Sequence, residues 1–176
     1  MVFSLLTAVD PGQCLTVDYD IGFYTDFDEP LGPNWDIYDS VGHAGWGLRR
    51  PSAVAVGPDA QAGTGGLLTI TAKMGTEEEA DQLVSGGVKV HYPQLYGNYL
   101  VRVKVEPDPD GVTSGAVLLW PESNENPRDG EIDILESWSN RETRTPVESN
   151  LHWLRPGAQP PFSRSDDYKA QVVHPG

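Results

Sequence analysis

Three carboxylates interleaved with aliphatic residues, Glu131, Asp133 and Glu136 in the run Gly130-Glu131-Ile132-Asp133-Ile134-Leu135-Glu136, are the residues of this chain best suited to chemistry. In an extended strand, side chains alternate between faces. Glu131, Asp133 and Leu135 then point one way and Ile132, Ile134 and Glu136 the other. Strict alternation therefore separates the two glutamates. One extra residue accommodated as a β-bulge near Ile134 and Leu135 returns Glu136 to the face of Glu131 and Asp133, and bulges are frequent beside active sites. At about 3.3 Å per residue the ends of the segment stand roughly 13 Å apart, so the glutamates must lean toward each other across Asp133. A curved strand lining a cleft allows it.

Two carboxyl groups across a sugar linkage are the equipment of glycoside hydrolysis, about 5–5.5 Å apart when the stereochemistry is retained. One attacks and the other donates a proton. A third acid between them adds like charge and hydrogen bonding, which pushes the pKa values apart and keeps one group protonated while another is ionised. The bland reading is a solvated acidic strand in an acidic protein, and spacing alone does not separate the two.

The elements that would carry these acids are strands. Fifteen Pro and nineteen Gly punctuate short strand-like runs in 176 residues of which 38% are hydrophobic, which predicts an all-β protein of one domain with many turns and no long helix. Leu68, Ile70 and Ala72 alternate with Thr69, Thr71 and Lys73. Tyr99, Val101, Val103 and Val105 alternate with Asn98, Leu100, Arg102 and Lys104, and both runs read as half-buried antiparallel strands. The run 76–83, with Glu77, Glu78 and Glu79, reads as a solvated loop or a single helical turn, and the 106–111 and 123–130 segments as turns, the latter leading directly into the acidic strand.

The formal net charge of −14 opposes a nucleic-acid or anionic-membrane partner through long-range repulsion. It suits a neutral polysaccharide and equally a plain solubility role. Cys14 is the single cysteine, so no internal disulfide forms. The start, Met1 to Val9, has a short apolar run without the basic segment of a secretory signal, and no run approaches the roughly 20 apolar residues of a membrane span. His43, His91 and His174 show no ligand-like spacing, which argues against a catalytic zinc site.

The acidic motif comes with a neighbourhood. Phe23-Tyr24-Thr25-Asp26-Phe27-Asp28 is followed by Trp35, then by Leu67-Leu68-Thr69-Ile70-Thr71-Ala72-Lys73 and Ser85-Gly86-Gly87. Next come Tyr96-Gly97-Asn98-Tyr99-Leu100-Val101-Arg102-Val103-Lys104, Ala116-Val117-Leu118-Leu119-Trp120-Pro121, the acids, and Leu151-His152-Trp153. In this order the segments resemble glycoside hydrolase family 16 on its laminarinase-like side. The resemblance runs from about Phe23 to Trp153. It implies a two-sheet antiparallel β-sandwich of the jelly-roll, concanavalin A-like type over residues 21–176, with residues 1–20 an N-terminal arm or leader strand.

The same resemblance implies Glu131 as nucleophile, Asp133 as its electrostatic and hydrogen-bonding assistant, and Glu136 as general acid/base of a retaining double displacement. The extra residue between Asp133 and Glu136 resembles laminarinases more than mixed-linkage lichenases, so a β-1,3-linked glucan is the first substrate to try. Galactan hydrolases share the longer spacing. Sugar rings bury their C–H faces on aromatics, and Trp120, Trp138 and Trp153 lie closest to the acids in sequence, with Trp153 the foremost platform. Relatives carry a Trp at the place of Leu118, two residues before Trp120 and on the same face by alternation. His152 resembles the histidine that hydrogen-bonds near the site.

No cofactor is required by this resemblance. A structural calcium occurs in relatives, but its ligands are not assignable in this sequence. The expected location is extracellular or within an external assembly. Relatives continue through further strands after the His-Trp segment, which a partner chain or self-association would have to complete here. A carbohydrate-binding or adhesion module of the same fold, without turnover, is the second reading.

Overall fold

A computed structural model describes residues 2–4, 22–59, 65–79, 81–106, 108, 110–138, 147–154 and 164–166, with backbone only at 2–4, 138, 147 and 164–166. The described chain is mostly β, with several small sheets, three 3-10 turns and no α-helix. It forms two compact units, Met1–Lys104 and Val105–Gly176. The boundary expected near residue 20 and the single cysteine lie outside the described residues.

Ten strands belong to the first unit: β1 (Val2–Ser4), β2 (Trp35–Ile37), β3 (Ser40–Val41), β4 (Leu48–Arg49), β5 (Val54–Pro58), β6 (Gly66–Ile70), β7 (Lys73–Met74), β8 (Leu83–Ser85), β9 (Val88–Val90) and β10 (Arg102–Lys104). They form a sheet in the order β10-β1-β6-β5, a second in the order β3-β4-β8-β7 and a β2-β9 ribbon. Every pairing is antiparallel except β4 with β8.

Leu68 in β6, Val84 in β8, Phe27 and Ala53 are the buried apolar side chains among the described residues of this unit. Full burial of a leucine stabilises by about 1.5–3 kcal/mol. Leu68 is the middle residue of β6, opposite Val56 of β5 and Phe3 of β1, so its backbone lies inside the sheet and not at an edge. The loop bearing Phe27 lies against the start of β6. The Gly66 amide donates to the Asp26 carbonyl at 2.7 Å, and a Cβ at Gly66 would stand 1.5 Å from the Phe27 carbonyl oxygen, so only glycine permits this approach. Phe27 packs its ring 5.8 Å from Trp35, which also meets Phe23 at 6.1 Å.

The predicted alternations hold in part. Arg102 and Lys104 are exposed and Val103 half-buried in β10, but Tyr99 and Leu100 precede the strand and are exposed. The glutamate run forms one 3-10 turn, Glu77–Glu79, in which the Glu79 carboxylate accepts the Thr76 amide at 2.9 Å.

The second unit is one antiparallel sheet in the order β11-β12-β13-β14, made of β11 (Ser114–Leu119), β12 (Glu131–Trp138), β13 (Val147–Trp153) and β14 (Arg164–Asp166). The acidic strand β12 is flanked on both sides, which fixes its register twice. Ahead of β11 the chain turns around Asp108. Its carboxylate accepts the amides of Asp110, Gly111, Val112 and Thr113 and the Thr113 hydroxyl, the last at 2.6 Å. These donors hold the Asp108 carboxyl below the usual carboxylate range, the Thr113 hydroxyl contributing most.

Candidate active site on the bulged strand

Gly130 ends the loop before β12 with φ +86°, a left-handed conformation suited to glycine, and Glu131 opens the strand. On the β13 side, Glu131 stands opposite His152, Asp133 opposite Asn150 and Glu136 opposite Glu148. On the β11 side, Asp133 stands opposite Leu118, Leu135 opposite Val117 and Glu136 opposite Ala116. The register shifts between Asp133 and Glu136, where two residues of β12 oppose the single Ser149 of β13. This is the expected β-bulge at Ile134 and Leu135, and it returns Glu136 to the face of Glu131 and Asp133. The Ser149 hydroxyl donates to the Ile134 carbonyl at 2.8 Å, which satisfies a backbone group left without its ladder partner.

Each acid has its own donor. The Asn126 amide donates to Glu131 Oε2, the His152 ring Nε2 lies 2.7 Å from Asp133 Oδ2, and the Asn150 amide donates to Glu136 Oε2. The two donors on β13 reach diagonally. His152 sits opposite Glu131 but bonds Asp133, and Asn150 sits opposite Asp133 but bonds Glu136. Asp133 is 2% exposed, so the ring contact takes the place of water at a buried carboxylate.

Burial first, and then the charge of Asp133, raise the Glu131 carboxyl above its ordinary value, while His152 and the Asn126 amide pull it back in part. Desolvation with a specific charged neighbour is found at functional sites and in structural ion-pair networks alike. Ligand atoms of Asp133, Glu136 and His152 lie within 4.8 Å of one another, and among the described residues this is where carboxylate and imidazole groups converge in metal-binding fashion. One imidazole in the set suits a transition ion better than calcium, which takes 6–8 oxygens, so these residues do not fit the structural calcium of the resemblance.

The aromatic residues divide. Trp120 directly follows the end of β11, where strand alternation no longer fixes its face, and is 41% exposed, with its indole N–H donating to Asn124 Oδ1 at 2.6 Å. Trp138 ends β12 at the rung of Ser114, its side chain outside the described residues. Trp153 follows His152 in β13, so the pleat sends it to the face opposite the acids and the structure does not bring it to them.

Asn126, Asn150 and Glu148 went unnoticed in the sequence. Asn150 carried a usable signal, since it lies two residues before His152 and so shares its face. Glu148, four residues before His152, carried the same signal, and Asn126 becomes visible only once the loop is placed.

No protein-family model, curated protein or solved structure matches this chain.

Proposed function

We propose that the chain is a retaining glycoside hydrolase of the family 16 type, cleaving a β-linked polysaccharide internally, with a β-1,3-glucan as the substrate class. The observation that carries this reading is the bulge, which collects Glu131, Asp133 and Glu136 on one face against the alternation of their own strand. A merely solvated acidic strand has no need of that parity change. Nor does it bury its central acid to 2% exposure and supply each carboxylate with a separate donor.

In the first step a Glu131 oxygen attacks the anomeric carbon, the glycosidic C–O bond breaks, and Glu136 gives its proton to the departing oxygen. In the second, Glu136 takes a proton from water as that water attacks the same carbon and releases Glu131 from the glycosyl ester. Asp133 shares charge and hydrogen bonding with Glu131 and is steadied by His152. Trp120, exposed one residue past the end of β11, offers a ring for the sugar's C–H surface. With this reading goes a two-sheet β-sandwich of jelly-roll type.

The test is incubation of the purified chain with laminarin, mixed-linkage β-glucan and agarose, reading new reducing ends against the Glu131→Gln variant. Product on one polymer that disappears with Glu131→Gln is expected. No product from a folded parent would overturn the hydrolase, and polysaccharide binding that survives Glu131→Gln would put a binding module in its place.

A further inference from the structure

We infer that the acid face is also a binding site for one divalent transition ion of the zinc or copper type, held by Asp133, Glu136 and His152. The inference starts from convergence: one atom from each of two carboxylates and an imidazole lies within 4.8 Å of the other two. In a tetrahedral zinc site with ligands about 2.0–2.2 Å from the ion, ligand atoms stand about 3.4 Å apart. The His152–Asp133 pair at 2.7 Å must therefore open by about 0.7 Å, and no pair needs to close by more than about 1.4 Å. Half-buried Glu136 and His152 reach that by side-chain rotation while buried Asp133 stays as the base of the site.

The surroundings are also those of a metal centre. Asn150 already orients Glu136, as outer partners orient a ligating carboxylate. Glu131 beside Asp133 and Glu148 opposite Glu136 add negative charge around the cation. Two carboxylates and one imidazole suit zinc, copper or nickel, whereas calcium and magnesium prefer all-oxygen shells. With three protein ligands, a fourth position stays open to water.

Binding rests on this geometry alone. Its consequence rests on the proposed hydrolase, because an ion on Glu136 and Asp133 removes the proton donor and the assistant of the nucleophile together. The site is then a switch in which transition-ion concentration sets the fraction of active chain.

Calorimetric titration of the metal-free chain with zinc chloride decides the matter. One equivalent should bind, His152→Gln and Glu136→Gln should each weaken it by more than tenfold, and Asn150→Ala by about tenfold. His91→Gln, which removes the exposed histidine pair of the first unit, should leave it unchanged. A readout on the unaltered chain guards against misfolded variants: at a tenth of an equivalent, copper(II) should broaden the His152 imidazole NMR signal before that of His91. No zinc binding, zinc binding abolished by His91→Gln, calcium bound as tightly as zinc, or copper broadening His91 first would each overturn the inference. If the chain releases product from a polysaccharide, zinc should inhibit with the calorimetric dissociation constant, and activity untouched by bound zinc would overturn the switch. If no product forms, the hydrolase falls and calorimetry still decides the metal site.

Discussion

Each unit of the chain holds a histidine against an aspartate, and the two pairs differ in almost everything except distance. In the first unit His91 Nε2 lies 2.5 Å from Asp36 Oδ2, with side chains 49% and 58% exposed. In the second, His152 Nε2 lies 2.7 Å from Asp133 Oδ2, with side chains 29% and 3% exposed. Water screens the first pair, which leaves it a surface contact of little weight. The second has lost that screening, its aspartate stands between two glutamates on one face, and a change in either partner is felt by Glu131. Burial and company, not separation, set the pair on the acid face apart. The same division runs through the two units, since the described buried apolar side chains, Phe27, Ala53, Leu68 and Val84, are all in the first, and the described buried polar ones, Asp133, Ser137 and Asn150, are all in the second.

Substitutions in the two units should have unequal effects. The largest expected effect is on turnover: Glu136→Gln should lower polysaccharide hydrolysis by about 10²–10⁴-fold through loss of the proton donor, while Asp36→Asn leaves it unchanged. Equal losses in reducing-end release from the two variants would erase the distinction. Next comes stability. Leu68→Ala should cost about 2–5 kcal/mol in urea unfolding, a cavity penalty belonging to the apolar unit.

Asn150→Ala removes a donor from a carboxylate, which is worth about 1.5–3 kcal/mol. It should cost about that much in urea unfolding, and turnover should fall as well, because Glu136 loses the group that orients it.

For Asp133→Asn the sign follows from the like charge. Asp133 raises Glu131, so its neutralisation lowers the Glu131 pKa and moves the acid limb of the kcat/KM profile to lower pH. A limb that moves upward would contradict the assignment. The stability linkage of Glu131 has the matching sign. Being raised in the folded state, it favours folding below its unfolded pKa, and the gain is lost as pH rises through the folded value. The smallest effect should be that of His91→Gln, within about 1 kcal/mol in urea unfolding and smaller still at high salt.

The sequence was most legible where a residue conflicts with a period. Three acids in a strand whose alternation would split them forced the bulge into view, and the structure has it at Ile134 and Leu135. Leu68 was legible from the alternation around it, although the strand ends at Ile70 and Ala72, expected to share its face, is exposed. Partners fixed by pairing across the chain were not legible. Asp36 and His91 are 55 residues apart and meet because Trp35 faces Val90, a rung that nothing local specifies. Trp153 shows the cost of weighing nearness in sequence over parity: it adjoins His152 and for that reason faces the other way. Asn126 acts from a loop, where no period exists to read. The division of the described chain after Lys104 has no signature in composition either, since alternation in the sequence runs on through Val105.

The bulge also sets which changes of length the acid face withstands. From the Glu131–His152 rung to the Glu136–Glu148 rung, β12 uses six residues where β13 uses five. A chain lacking Ile134 would therefore keep all three acids in phase and opposite the same partners, merely straightened. A chain lacking Ile132 would put Glu131 and Asp133 on opposite sides of the sheet. In evolutionary terms the bulge is the place in β12 where one residue can be lost without splitting the acids.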